Sequence, residues 1–109
     1  MARTAQCCMV VTTCASRRQA QVLGRTVVKA RLAACAQLEP ISSIYRWEGK
    51  VCCDDEWRVT MKTTRAGYRR LEAFVRARHS YSVPQIVAVP FSAGSAAYLR
   101  WVRQSVGGA

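Results

Sequence analysis

The stretch KVCCDDEWRVTMKT, Lys50 to Thr63, reads as one β-strand that is too long for the domain that would carry it. Its second half alternates: Trp57, Val59 and Met61 share one face, and Arg58, Thr60 and Lys62 share the other. At roughly 3.4 Å per residue the stretch extends about 45 Å, whereas a compact domain of this length has a radius of gyration of about 13 Å. Either the strand bends near Cys53 to Glu56, or the hairpin tip projects and is covered by another subunit. An exposed pairing edge bearing Tyr45 and Trp47 is an aggregation hazard for a monomer, so a homo-oligomer is expected.

The strand before it runs from Ala36 to Trp47 and contains Pro40, which belongs on an edge, at a bulge or at a strand start. Glu48-Gly49 closes the hairpin, and glycine followed by Lys50 predicts a type I turn with a glycine bulge. Tyr45 and Trp47 fall on one face, with Ile44 and Arg46 on the other. If Trp47 pairs opposite Lys50, Tyr45 lies near Cys52, unless a bulge shifts the register.

Gln6 to Thr13 is a near-continuous apolar run, which predicts an interior strand. Ser16 with Gln19 forms a capping-box pattern, so a helix starts there with Ala20, Leu23, Val27, Ala30 and Ala34 as its buried stripe and an end near Ala33 or Ala34. Gly24 inside that stripe predicts close backbone approach to a sheet. Thr63 or Thr64 is expected to cap a second helix, with Tyr68, Leu71, Phe74 and Val75 inward and Glu72 four residues before Arg76. Gln85 to Phe91 reads as a last interior strand, and Gly94-Ser95 introduces a short helix bearing Tyr98, Leu99, Trp101, Val102 and Val106. The order β-α-β-β-α-β plus a helix predicts one α+β domain over 1–109. It is ferredoxin-like (split βαβ): a four-stranded antiparallel sheet with two helices on one face and a C-terminal helix.

The chain of 109 residues is long enough to fold without metal or disulfide, and no segment has the length of a membrane span or a signal-peptide core, so a cytoplasmic location is expected. Its six cysteines show no C-x-x-C spacing, which favours reduced thiols behaving as small hydrophobes. The formal charge of +11 rests on 14 arginines and three lysines. It attracts polyanions without selecting one. Stripes such as Arg18, Arg25 and Lys29, or Arg65, Arg69 and Arg76, read as solvated helix faces. With no nucleic-acid-binding signature present, nucleic-acid binding is not the expected function.

No nucleophile elbow, phosphate loop or dinucleotide fingerprint appears, and Cys14 or Cys35 can pair with the single histidine, His79, only through the fold. An enzyme is not expected. Asp54-Asp55-Glu56 reads as a solvated bend rather than an acid/base pair. Cys52, Cys53, Asp54 and Asp55 are mixed donors for a soft or borderline ion, without the spacing of a closed site. His79 has two readings, metal ligand or anchor for carbonyls and Tyr81. Tyr45 and Trp47 likewise suit interface packing or the wall of a pocket.

The blocks RLAACAQLEPISSIYRWEGKV, VTMKTTR, HSYSVPQIVAVP and YLRWV, in this order, resemble the CutA family of divalent-cation tolerance proteins, over about Met9 to Val106. The resemblance implies a ferredoxin-like protomer, a homotrimer built through extended strands, and a role in tolerance of copper and other divalent ions. Ser43, Tyr45, Trp47, Glu48, Gly49 and Lys50 match the family's hairpin block, Cys35 its L-A-A-C helix end, Lys62-Thr63 its K-T strand end, and His79, Tyr81 and Pro84 its histidine loop. Ser80 stands where the family usually has proline, and Gln85 where it usually has glutamate. The first-strand thiol proposed as a copper ligand in some members aligns with Thr12, and Cys14 lies two residues on. The resulting expectation is a non-enzymatic homotrimer with divalent copper or a small ligand in clefts between protomers. His79 and Cys14 are its candidate metal ligands, with Tyr45, Trp47, Glu48, Lys50, Lys62 and Tyr81 around the cleft. The alternative is a structural or signalling trimer that binds a protein or anionic partner and has no specific metal site.

Overall fold

The computed structural model describes residues 6–107. Strand β1 (Cys7–Cys14) leads to helix α1 (Arg17–Lys29), the hairpin β2 (Cys35–Trp47) and β3 (Lys50–Thr64), helix α2 (Tyr68–Arg78), strand β4 (Val87–Pro90) and helix α3 (Ala96–Ser105). The sheet has the order β2-β3-β1-β4 with every pairing antiparallel, the predicted α+β arrangement. β1 is an interior strand as expected. Gln85 to Phe91 is not: β4 covers only Val87–Pro90, pairs with β1 alone, and is exposed throughout. An apolar run in the sequence does not by itself say whether the strand is interior or on an edge.

The main core lies between one sheet face and helices α1 and α2. Val10, Val27, Val59, Met61, Leu71 and Val75 are all fully buried there, each worth about 1.5–3 kcal/mol. A second, smaller cluster packs Leu99 and Val102 of α3 on Cys7 and Ala34. A Cβ added at Gly24 would sit 3.2 Å from the Ala36 Cβ, so this glycine does mark a close helix–sheet approach.

α1 starts as predicted, with Ser16 Oγ accepting from the Gln19 amide at 3.1 Å, but it ends at Lys29, not near Ala33. Arg31 adopts the left-handed conformation at φ 61°. The Leu32 amide donates to the Val27 carbonyl at 2.9 Å and the Arg31 amide to that of Val28 at 3.0 Å. This is a complete Schellman stop, its apolar contact supplied by Val27 and Leu32, both part of the main core. Ala30 is therefore exposed and Ala34 joins the α3 cluster. α2 also differs: Gly67 is its N-cap without a side-chain bond, because Thr64 Oγ1 accepts from the Gly67 amide and Thr63 Oγ1 donates to the Leu32 carbonyl.

The hairpin resolves the length problem by projecting. β3 pairs with β1 only from Trp57 to Thr64, while its pairing with β2 continues one-to-one to Lys50 opposite Trp47. There is no bulge in this register and no bend at Cys53 to Glu56; Asp54, Asp55 and Glu56 are strand residues. Glu48 and Gly49 both have positive φ, 51° and 80°, which makes the turn type I′ rather than type I with a bulge. Type I′ matches the right-handed twist of two long strands. The longest dimension of the protein is accordingly 44 Å. Pro40 sits on the edge strand β2, where it costs no ladder bond.

Candidate functional site

Strand alternation puts Ser43, Tyr45 and Trp47 on the same hairpin face as Cys52, Asp54 and Glu56, since Tyr45 is opposite Cys52 and Ser43 opposite Asp54. Tyr45 and Asp54 are diagonal neighbours on that face, and the Tyr45 hydroxyl donates to Asp54 Oδ2. The loop after α2 folds against the same surface. There the Tyr81 hydroxyl donates to Glu56 Oε2 at 2.7 Å. Hairpin and loop enclose an open cleft of about 880 Å³ whose walls include Tyr45, Trp47, Asp54, Glu56, Tyr81 and Gln85.

These contacts hold both phenols protonated. The hydrogen bond to Asp54, first among its causes, pushes Tyr45 up to about 12. Burial, then the bond to Glu56, raises Tyr81 further. Asp54 and Glu56 thus wall the cleft rather than forming a solvated bend, while the Asp55 carboxylate lies on the other hairpin face and accepts from Ser42 Oγ at 3.3 Å. The signal was the register: once Trp47 pairs with Lys50, Asp54 must stand beside Tyr45.

His79 and Cys14 come together elsewhere, at a groove of about 600 Å³ between α1 and α2 that Arg18, Ser80 and Arg78 also line. His79 Nε2 donates to the Thr13 carbonyl at 2.7 Å, and its Nδ1 accepts the Tyr81 amide at 3.1 Å. Both ring nitrogens are engaged, so this arrangement leaves no lone pair for a metal ion. Cys14 is buried in the main core, and desolvation by burial raises its thiol pKa. Thr12 is fully buried one residue from Thr13, its hydroxyl without a partner among the described residues. Among the described residues no three of His, Cys, Asp and Glu gather closely enough to hold a metal ion.

The remaining predicted residues are dispersed. Glu48 lies in the turn, Lys50 begins β3 beside it, and neither lines the hairpin cleft or the helix groove. Lys62 lies near the far end of β3 and donates to Gln37 Oε1 at 2.6 Å. The His79 and Tyr81 rings, 4.8 Å apart, stand between the helix groove and the hairpin cleft.

The model for the CutA1 divalent ion tolerance family matches residues 8–105. The chain belongs to the CutA1 family. The divalent-cation tolerance protein CutA of Thermus thermophilus is 40% identical over 100 residues, covering 91% of this chain and 97% of that one. The human protein CutA is 43% identical over 93 residues, which is 84% of this chain and 52% of the human one, so the chain spans about half of that relative's length. Among solved structures, CutA1 of Oryza sativa superposes with a TM-score of 0.92 at 32% identity, covering 99% of this chain and 100% of that one. The Thermus thermophilus divalent cation tolerance protein does so at 0.89 and 39% identity, covering 93% and 99%. The CutA1 fold therefore extends over the hairpin, the histidine loop and α3 alike. No described helix is long and apolar enough to cross a membrane.

Proposed function

We propose that this CutA1-family chain acts in divalent-ion tolerance, copper included, as a cytoplasmic, non-enzymatic homotrimer that takes up metal or a small ligand where protomers meet. The observation that carries this reading is the unpaired hairpin tip. Beyond Trp57 the ribbon has no β1 neighbour, and it exposes Ile44, Tyr45, Trp47 and Val51. β4 offers the complementary need, a free edge with Val87 and Val89 exposed. Burying both sets removes apolar surface from water at about 25 cal/mol per Å².

In such an assembly the cleft walled by Tyr45, Trp47, Asp54, Glu56 and Tyr81 becomes an intersubunit pocket, and a neighbour's Glu48, Lys50 or Lys62 can reach it. Carboxylates and phenols supply oxygen donors there, whereas Cys14 and His79 would have to give up core packing and two hydrogen bonds to ligate. Light scattering tests the assembly, with three subunits expected; a stable monomer contradicts it. Copper titration by calorimetry tests the ligand. Defined stoichiometry in the wild type that is lost in Asp54→Asn/Glu56→Gln places the site in the cleft, and loss in His79→Ala places it at the histidine. Weak binding without stoichiometry in all of them favours the second reading, a structural or signalling trimer whose partner is a protein or an anion.

A further inference from the structure

We propose that the outer surface of α1 and α2 is a docking face for the phosphodiester backbone of double-stranded nucleic acid. Acidic charge in this protein is segregated by layer, while basic residues occur on the hairpin and on all three helices. Of the six acidic residues, Glu39, Glu48, Asp54, Asp55 and Glu56 all lie on the β2–β3 hairpin, and only Glu72 lies on a helix. α1 carries four basic residues and no acidic one; α2 carries four and Glu72.

Helical spacing aims these charges outward. Ala20, Gly24 and Val27 are the buried side of α1, and at about 100° per residue Arg18, Arg25 and Lys29 fall opposite them. All three are exposed. On α2, Leu71 and Val75 point inward, while exposed Arg69 and Arg76 lie well round toward the outside. Among the described residues the ion pairs are Arg58–Glu39 on the hairpin and Arg76–Glu72 on α2. The α1 cations are therefore not neutralised by any described carboxylate. Arg18 and Lys29 are about 16 Å apart along the axis at 1.5 Å per residue, a span over which a duplex presents roughly nine phosphate charges.

The cations are mostly arginine, whose planar fork matches phosphate oxygens in bidentate fashion. An anionic membrane fits less well. Interfacial helices place aromatic and large apolar anchors on the bound side; here the exposed tryptophans, Trp47 and Trp101, belong to the hairpin and α3, and the large apolar side chains exposed on α1 are two valines, Val22 and Val28. This face also lies opposite the sheet surface that carries the hairpin cleft, so docking on it does not depend on the trimer.

The test must separate a located surface from net charge. Two triple variants remove the same charge, Arg18→Gln/Arg25→Gln/Arg69→Gln on the helices and Arg46→Gln/Lys50→Gln/Arg58→Gln on the hairpin. Both are checked for native circular dichroism and thermal melting. Binding of a short fluorescent DNA duplex is followed by anisotropy as salt is raised. The helix triple is expected to lose about tenfold or more in affinity and to flatten the salt dependence, each lost phosphate contact lowering the slope by about 0.9. The hairpin triple is expected to lose less than about threefold. Two unrelated duplex sequences are expected to bind alike. Equal loss in both triples, no duplex binding at low salt, or binding to phosphatidylserine vesicles without duplex binding overturns the proposal.

Discussion

The His79 ring bridges the Thr13 carbonyl, 2.7 Å from Nε2, and the Tyr81 amide, 3.1 Å from Nδ1, and so ties the loop after α2 to the end of β1. This requires the neutral tautomer with hydrogen on Nε2. Two partly buried bonds at about 0.5–1.5 kcal/mol each imply that His79→Ala lowers stability by about 1–3 kcal/mol. Denaturant unfolding measures the loss, and faster hydrogen exchange at the Tyr81 amide locates it. An unchanged Tyr81 exchange rate would show that the ring does not hold the loop.

Tyr45 is pushed up to about 12 by its bond to Asp54, and Tyr81 is raised by burial and by Glu56. An unfolded tyrosine ionises near pH 10. The folded state therefore keeps protons that the unfolded state gives up, and stability falls as pH rises from about 10 through the folded values. Absorbance titration of phenolate is expected to show a delayed phase that shrinks in Tyr45→Phe and in Tyr81→Phe. A single phase near pH 10 in the wild type contradicts both contacts.

Burial raises the Cys8 and Cys14 thiols, Cys8 further through Cys7 and Cys14 through Glu56. The thiolate is the reactive form, so both are expected to resist iodoacetamide in the native protein and react on unfolding. Mass spectrometry of tryptic peptides reads this directly. Rapid native labelling of Cys14 would mean that the core opens there.

Much of this was legible from spacing. Ser16 and Gln19 marked the start of α1, Gly24 the close approach to Ala36, and the length of Lys50 to Thr63 the projecting tip. What spacing missed has local causes. Arg31 stops α1 in a conformation usually given to glycine, and neither Thr63 nor Thr64 caps α2, because their hydroxyls serve Leu32 and the preceding turn. The site was harder. His79 and Tyr81 were identifiable as a pair, but the bonding of both imidazole nitrogens depends on Thr13, which is 66 residues away in sequence from His79. Asp54 and Glu56 became a cleft wall only once the hairpin register was known.

Thr12 is fully buried and its hydroxyl has no partner among the described residues. An unsatisfied buried hydroxyl costs about 1–3 kcal/mol, and valine has nearly the same shape without it. Thr12→Val is expected to raise stability by about 1 kcal/mol or more, seen as a higher denaturant midpoint at unchanged slope. Destabilisation would mean that the hydroxyl is bonded in solution.

The turn gives the last prediction, because it separates conformational cost from contact. Glu48 holds φ 51° and Gly49 φ 80°, and a Cβ added at Gly49 would meet nothing within 4 Å. The left-handed conformation costs an ordinary residue about 1–2 kcal/mol, and asparagine visits it more readily. Glu48→Asn is therefore expected to stabilise by about 0.5–1 kcal/mol, creating the favoured Asn-Gly pair of a type I′ turn. Gly49→Ala is expected to destabilise by about 1 kcal/mol through the backbone alone. Chemical denaturation measures both at fixed protein concentration. If Glu48→Asn instead loosens the assembly in light scattering, the Glu48 carboxylate has a partner on another protomer, and its backbone strain is retained for that contact.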